Sequence, residues 1–231
     1  MMGGLAAAAG APGKVLFVGN SFTYYNNSLH NHYRELVVSA HPDQEHEGLV
    51  RSLTISGGYL PEHAGLPAMV ASAQWDIVVL QGYSMGPISE DTAAPFRQAA
   101  REFAAIIRAH DAQPVLFMTW AYSGEPEMTI LLDAAYSSIG NELDAKVVPV
   151  GLAFERATQK RPRLKLRVAD RKHPTPAGTY LAACTFFAAL HGRSPEGLGY
   201  TAGLRKRDAV FLQRMAWESV QAYEMRLQGQ P

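Results

Sequence analysis

The chain contains one cysteine, Cys184, so it can form no internal disulfide and no cysteine-rich metal site. This cysteine lies in the apolar segment YLAACTFFAAL, residues 180–190, where a buried and unreactive thiol is expected. A protein without disulfides is compatible with either side of a membrane. The cysteine content therefore leaves the cellular compartment open.

An excess of either charge is also missing, because 21 Lys and Arg residues balance 21 Asp and Glu residues. A basic excess would favour nucleic acid or anionic lipid as a partner. The basic segments at 161–167 and near Arg205 are interpreted as solvated faces. We therefore expect no nucleic-acid partner.

Long apolar runs are absent as well. No stretch approaches the roughly 18 apolar residues that suggest a membrane-spanning helix, so we expect no integral membrane segment. The first 13 residues, MMGGLAAAAGAPG, carry no Lys or Arg and do not make a complete signal peptide. We expect residues 1–13 to be disordered, as the stub of a trimmed signal peptide or a cloning remnant. The protein is expected to be soluble, either cytoplasmic or exported.

The sequence does contain a regular alternation of strand and helix patterns. Apolar runs rich in β-branched residues occupy 14–19, 75–81, 114–120 and 145–151, with a weaker run at 48–56. Helical patterns occupy 28–40, 95–110 and 129–145, and two more follow the last strand. Continuous apolarity is typical of strands covered on both faces, as in a parallel sheet. The alternation predicts that residues 14–231 form a single α/β domain, a three-layer α/β/α sandwich around about five parallel strands.

Two serines follow predicted strands: Ser21 in GNSFT and Ser84 in GYSMG. In such sheets the chemistry gathers in loops at the carboxyl ends of strands. The G-x-S-x-G pattern around Ser84 would need a helix directly after the serine, and an acid and a histidine on separate later loops. Pro87 and the polar residues after it delay any helix until about Asp91. We therefore favour Ser21 as the nucleophile and interpret Ser84 as part of a pocket wall.

An acid and a base lie close together near the end of the chain. Asp170 and His173 are three residues apart in DRKHPTPAG, so a turn would let the carboxylate reach imidazole Nδ1. Pro174 disfavours a helical conformation for His173, and Thr175 is a good helix N-cap. A serine hydroxyl needs such an oriented base to become nucleophilic. On this segment alone, a catalytic pair and an ordinary surface contact are equally open.

GNSFT at 19–23 and DRKHPTPAG at 170–178 together resemble the SGNH, or GDSL-like, hydrolase superfamily over residues 14 to about 200. The similarity is greatest to the branch of that superfamily that begins GNSFT. The resemblance implies a flavodoxin-like sandwich in which Ser21 is the nucleophile, His173 the general base and Asp170 its orienting acid. It implies no metal and no organic cofactor.

The resemblance also implies an oxyanion hole. Its members would be the backbone N–H of Ser21, that of Gly57 with Gly58 as the neighbouring alternative, and Gln81. Most members of the superfamily have an asparagine in the third block, and Gln81 offers the same amide donors on a longer arm.

Three residues are predicted to form the substrate pocket: Tyr83, Ser84 and Trp120. Trp120 follows the strand at 114–120, and it is interpreted either as a lid or as a packing aromatic.

The function implied by the resemblance is hydrolysis of a small-molecule carboxylic ester through an acyl-enzyme. Small polar loops favour a short acyl group such as acetyl, with an acetylated carbohydrate as one candidate substrate. Two alternatives remain: a thioesterase or lipase-type hydrolase with the same triad, and a non-catalytic carbohydrate-binding member of the fold. The oligomeric state is left open.

Overall fold

The protein is described here by a computed structural model that covers residues 13–43 and 50–229. The predicted disordered segment at 1–13 lies, apart from Gly13, outside the described residues. The strands are Val15–Gly19 (β1), Val50–Thr54 (β2), Ile77–Gln81 (β3), Gln113–Phe117 (β4) and Lys146–Val148 (β5). They form one sheet in the order β2-β1-β3-β4-β5, and every pairing is parallel. The predicted parallel sheet of five strands is confirmed.

Helices cover both faces of the sheet. They are Ser21–Tyr24 (α1), Leu29–Ala40 (α2), Leu66–Ala71 (α3), Glu90–Arg108 (α4), Glu127–Leu143 (α5), Val150–Lys160 (α6), Pro176–His191 (α7) and Lys206–Gln228 (α8), with a 3₁₀ turn at Leu60–Glu62. One layer contains α2 packed on α7, which in turn contacts α8 and α6. On the other side α3 packs on α4, and α4 packs on α5. The three-layer α/β/α sandwich is therefore confirmed.

The continuous apolarity of the central strands has the expected cause. All five residues of β1 and all five of β3 are buried, because helices cover both faces of these strands. Helix α7 is buried on nearly every side, which explains why its sequence shows no polar face. Cys184, in the middle of α7, is fully buried as predicted. Among the described residues, no helix is both long and apolar enough to cross a bilayer.

One element boundary differs from the sequence prediction. The apolar run at 145–151 predicts a strand that continues to residue 151. In the structure, β5 ends at Val148 and α6 begins at Val150. Pro149 has no N–H to donate to a sheet ladder, so the strand ends there. The backbone of Gly151 approaches the segment just after β4 so closely that a Cβ would lie 2.3 Å from the Thr119 carbonyl oxygen. Helix α6 itself was not predicted.

Candidate active site

Ser21 lies directly after β1, at the carboxyl end of a central strand of the sheet. Asn20 caps the short helix α1, and its side-chain oxygen accepts a hydrogen bond from the Phe22 N–H at 3.1 Å. Ser21 is thus the first helical residue, and its side chain faces a pocket although the residue is only 9% exposed. The cap fixes the turn that presents the hydroxyl.

Asp170 and His173 share one turn ahead of α7. One oxygen of the Asp170 carboxylate accepts the backbone N–H groups of Lys172 at 2.9 Å and His173 at 3.0 Å. Its other oxygen lies 2.5 Å from His173 Nδ1. Arg171 between them adopts a φ of +70°, which reverses the chain direction in so few residues. The spacing therefore brings acid and base together, as the sequence predicted.

The rest of the molecule holds this turn in place. Trp120 Nε1 donates to the Lys172 carbonyl oxygen at 2.9 Å, and the Ser123 N–H donates to the Arg171 carbonyl oxygen at 2.9 Å. Both donors follow β4, so the turn is tied to the sheet. On its other side, Thr175 caps α7 by accepting the Gly178 N–H at 3.2 Å, with Pro176 as the first helical residue.

The turn carries the imidazole to the serine. His173 Nε2 lies 2.9 Å from Ser21 Oγ across 152 positions of sequence. The hydrogen bond from His173 lowers the pKa of Asp170 to about 2, and the Lys172 and His173 backbone donors act in the same direction. A carboxylate, an imidazole and a hydroxyl therefore form one continuous hydrogen-bonded chain. This arrangement can activate an oxygen nucleophile.

Aromatic rings fix the orientation of the imidazole. Tyr25 stacks on the His173 ring with centroids 4.3 Å apart and planes inclined by 9°. Phe22 meets the same ring edge-on at 5.8 Å. Tyr25 follows Ser21 by four positions in the sequence, and its ring covers one face of the base.

Two residues that line the pocket have backbone N–H groups without a hydrogen-bond acceptor among the described residues. Within the described residues, neither the Ser21 N–H nor the Gly57 N–H has a hydrogen-bond acceptor, and both residues line the pocket. Gly57 has a φ of +66°, a conformation that glycine adopts without strain. The alternative, Gly58, is buried, and its N–H already donates to the Ile55 carbonyl oxygen at 3.1 Å.

Gln81 does not face the pocket, so the prediction that it donates directly to an oxyanion is contradicted. Its amide nitrogen donates to Asn20 Oδ1 at 2.7 Å and to the Gly82 carbonyl oxygen at 2.9 Å. Its oxygen accepts from Thr23 Oγ1 at 2.7 Å and from the Asn20 N–H at 3.3 Å. The residue is 1% exposed, and both amide N–H groups are used internally. Gln81 instead holds the Asn20 turn that carries Ser21.

The pocket around Ser21 has a volume of about 240 Å³. Tyr83 and Ser84 line it, as predicted. The Ser84 hydroxyl lies 2.7 Å from the Tyr122 hydroxyl. This contact gives Ser84 a tyrosine partner, whereas Ser21 has a histidine.

Trp120 was predicted to line the pocket, and this prediction is wrong. The residue is fully buried, and its ring is stacked between Phe22 at 4.2 Å and Phe154 at 4.3 Å. It lies beneath the site as a packing residue because it sits between the end of β4 and α6.

Several solved structures share the fold. A DUF4886 family protein from Bacteroides uniformis has a TM-score of 0.68 at 19% identity, covering 91% of this chain and 95% of that one. A candidate SGNH hydrolase from Slackia heliotrinireducens has a TM-score of 0.62 at 27% identity, covering 74% and 94%. A lipase/acylhydrolase from Enterococcus faecalis has a TM-score of 0.61 at 17% identity, covering 78% and 96%. No protein-family model matches the sequence, and no curated protein matches it.

Proposed function

The chain belongs by fold to the SGNH, or GDSL-like, hydrolase superfamily, and on this premise we propose that it hydrolyses carboxylic esters through an acyl-enzyme on Ser21. The observation that carries the proposal is the hydrogen-bonded chain from Asp170 through His173 to Ser21. The narrower assignment to the branch that begins GNSFT stays a prediction.

Each of the three hydrogen-bonded residues has a defined role in the proposed reaction. His173 Nε2 accepts the Ser21 proton as Oγ attacks the ester carbonyl carbon, and then gives the proton to the departing alcohol. In the second half of the cycle, His173 takes a proton from water, which attacks the acyl-enzyme and releases the acid. Asp170 keeps Nδ1 protonated and stabilises the imidazolium that forms in each half.

The negative charge on the carbonyl oxygen needs donors at the moment it develops. We assign this role to the backbone N–H groups of Ser21 and Gly57, which have no acceptor among the described residues. Backbone donors are fixed before the reaction, so little reorganisation is needed when the charge appears. Gln81 does not donate to the oxyanion itself. It positions Asn20, which begins the turn that carries Ser21.

The substrate class follows from the size of the pocket and from its mixed lining. A pocket of about 240 Å³ at Ser21 suits the ester group and the first carbons of its acyl chain, so short-chain esters are candidate substrates, with acetylated carbohydrates among them. A thioester would use the same three residues. A purely carbohydrate-binding role has less support, since binding alone does not need a serine held 2.9 Å from an oriented imidazole.

Covalent labelling tests the nucleophile. We expect a fluorophosphonate probe to add one label to the wild-type protein, detected by intact mass, because the probe traps an activated serine. Ser21→Ala should abolish the label, and Ser84→Ala, the matched control in the same pocket, should retain it. A label that persists in Ser21→Ala and disappears in Ser84→Ala would reverse the assignment. If the folded wild-type protein takes up no label and hydrolyses no p-nitrophenyl ester, the proposal fails.

A further inference from the structure

A second pocket adjoins the first and differs from it in chemistry. It also has a volume of about 240 Å³, and it is lined mainly by Tyr59, Leu60, Pro61, Tyr83, Pro95 and Phe96. These are apolar or aromatic side chains supplied by the 3₁₀ turn, the loop after β3 and helix α4. Tyr83 lines both pockets, so they are neighbours.

Two polar side chains at the second pocket, those of Thr92 and Glu62, already have hydrogen-bond partners. Thr92 Oγ1 donates to the Gly86 carbonyl oxygen at 3.0 Å. The Glu62 carboxylate accepts the Tyr59 N–H at 2.7 Å, and Glu62 is exposed at the rim. Tyr59 stacks on Tyr83 with ring centroids 4.5 Å apart, which extends the apolar wall to the junction. Apart from the hydroxyl groups of Tyr59 and Tyr83, the lining therefore offers a ligand mainly apolar contact.

The geometry of the reaction determines which part of an ester can enter the second pocket. The departing alcohol must stay within reach of His173 Nε2, since that nitrogen returns the proton. The side of the first pocket near His173 is formed by Tyr25 and Lys172, and neither of these residues lines the second pocket. The second pocket opens beside Tyr83 instead. On the trigonal carbonyl carbon of an ester, the acyl chain and the alcohol oxygen point in different directions, so the two parts enter different regions of the site.

We infer that the second pocket binds the acyl chain of the substrate, so that the enzyme prefers linear acyl groups longer than acetyl. This inference rests on the proposed ester hydrolysis and deepens it by naming the acyl specificity. The first two carbons would occupy the polar pocket at Ser21. Later methylenes would pass the Tyr83 ring and contact Leu60 and Phe96.

The expected size of the preference follows from apolar transfer. Each methylene that becomes buried should raise kcat/KM by about fourfold, which corresponds to about 0.8 kcal/mol. The gain should stop once the pocket is full. We therefore expect kcat/KM for p-nitrophenyl hexanoate to exceed that for the acetate by at least about tenfold.

Filling the pocket provides the test. Thr92→Phe would place a ring in the second pocket, and it should reduce the hexanoate-to-acetate ratio of kcat/KM to about one. Thr92→Val keeps the size of the side chain and removes only the bond to Gly86, so it should keep most of the ratio. Ala94→Phe adds the same ring at an exposed position of α4 outside the pocket, and its ratio should match the wild type. Melting temperatures of all three variants would identify any that fail to fold.

The outcomes separate this inference from the proposed function. A wild-type protein that hydrolyses the acetate with a flat chain-length series would overturn the acyl pocket and leave ester hydrolysis standing. The same holds if rates rise with the length of the alcohol in a series of acetate esters, because the pocket would then hold the alcohol. If Thr92→Phe is folded and keeps the full ratio, the second pocket is not the acyl site. Absence of any ester hydrolysis would remove the proposed function itself.

Discussion

Asp170 keeps its negative charge far into the acid range. The hydrogen bond from His173 is the main cause, and it lowers the pKa of the carboxyl group from 3.8 to about 2. A lowered pKa means that the carboxylate stays ionised at every pH above about 2 and is neutralised only below it. Between pH 4 and 9 the orienting charge is therefore constant.

Asp170→Asn removes this charge and keeps the size of the side chain. We expect the substitution to lower kcat by about 10²- to 10⁴-fold, because an amide neither fixes the Nδ1 proton nor stabilises the imidazolium. Activity should be measured as kcat and kcat/KM on one ester at about pH 8, with circular dichroism to show that the variant is folded. A folded variant that keeps more than about a tenth of the wild-type kcat would contradict this role of the carboxylate.

For individual residues, the sequence predicted which side chains lie near the site, but it did not predict where each of them points. The three-residue spacing of Asp170 and His173 was enough to predict their contact, since a single turn determines it. Gln81 was correctly placed at the end of β3, but a strand pattern does not say which neighbour an amide will bond. In the structure, a Cβ on Gly19 would lie 2.5 Å from Gln81 Oε1, so this glycine leaves room for the amide oxygen. That packing joins residues 62 positions apart and has no local signal.

Among the elements, the end of β4 has the largest influence on the site. Trp120, just past the strand, stacks on Phe22 beside the serine and donates to the Lys172 carbonyl oxygen in the turn that carries the base. One buried side chain thus contacts both halves of the site. Its burial was not predictable, because aromatic residues after a strand serve equally well as lids.

We expect Trp120→Phe to slow fluorophosphonate labelling of Ser21 while lowering the free energy of unfolding by about 1–3 kcal/mol. The smaller ring leaves a gap and removes the donor to Lys172, so His173 is held less firmly. Trp75→Phe is the matched control: Trp75 is also buried, and its Nε1 donates to the Met69 carbonyl oxygen at 3.0 Å, ahead of β3. It should lose similar stability without slowing the label. Equal slowing in both variants would show that stability alone sets the labelling rate.

Element boundaries show the same limit of local patterns. The strands and the helices with a clear apolar stripe were predicted within a few residues, because periodicity reports burial. The change from β5 to α6 was missed because Val150 and Gly151 extend the apolar run in a different conformation. Both are buried, and Gly151 packs against Met118 and Thr119 just after β4, so only a tertiary contact distinguishes a strand end from a helix start.

Across the whole molecule, the described core is one continuous cluster that includes both helical layers. Helix α7 is central to it, since it contacts α2, α6 and α8. Its apolar composition predicted burial, whereas the strand order β2-β1-β3-β4-β5 depends on crossovers that no single segment encodes. The family resemblance implied a flavodoxin-like sandwich, and the order of the strands was not predicted.

The burial of Cys184 gives a probe of the intact core. The thiol is fully buried in α7, and desolvation raises its pKa, so little thiolate forms at neutral pH. We expect no reaction with Ellman's reagent in the native protein and one equivalent per chain in denaturant, followed by absorbance. Rapid labelling of the native protein would mean that the layer around α7 opens easily.

Because acid and base occupy a single turn tied to the polypeptide at several points, a fluctuation that displaces the turn carries both away together. The contact between Asp170 and His173 would persist during this motion. Only the hydrogen bond between His173 Nε2 and the Ser21 hydroxyl oxygen would break. Return to the competent arrangement then requires the docking of one preassembled unit instead of the chance meeting of three separate groups.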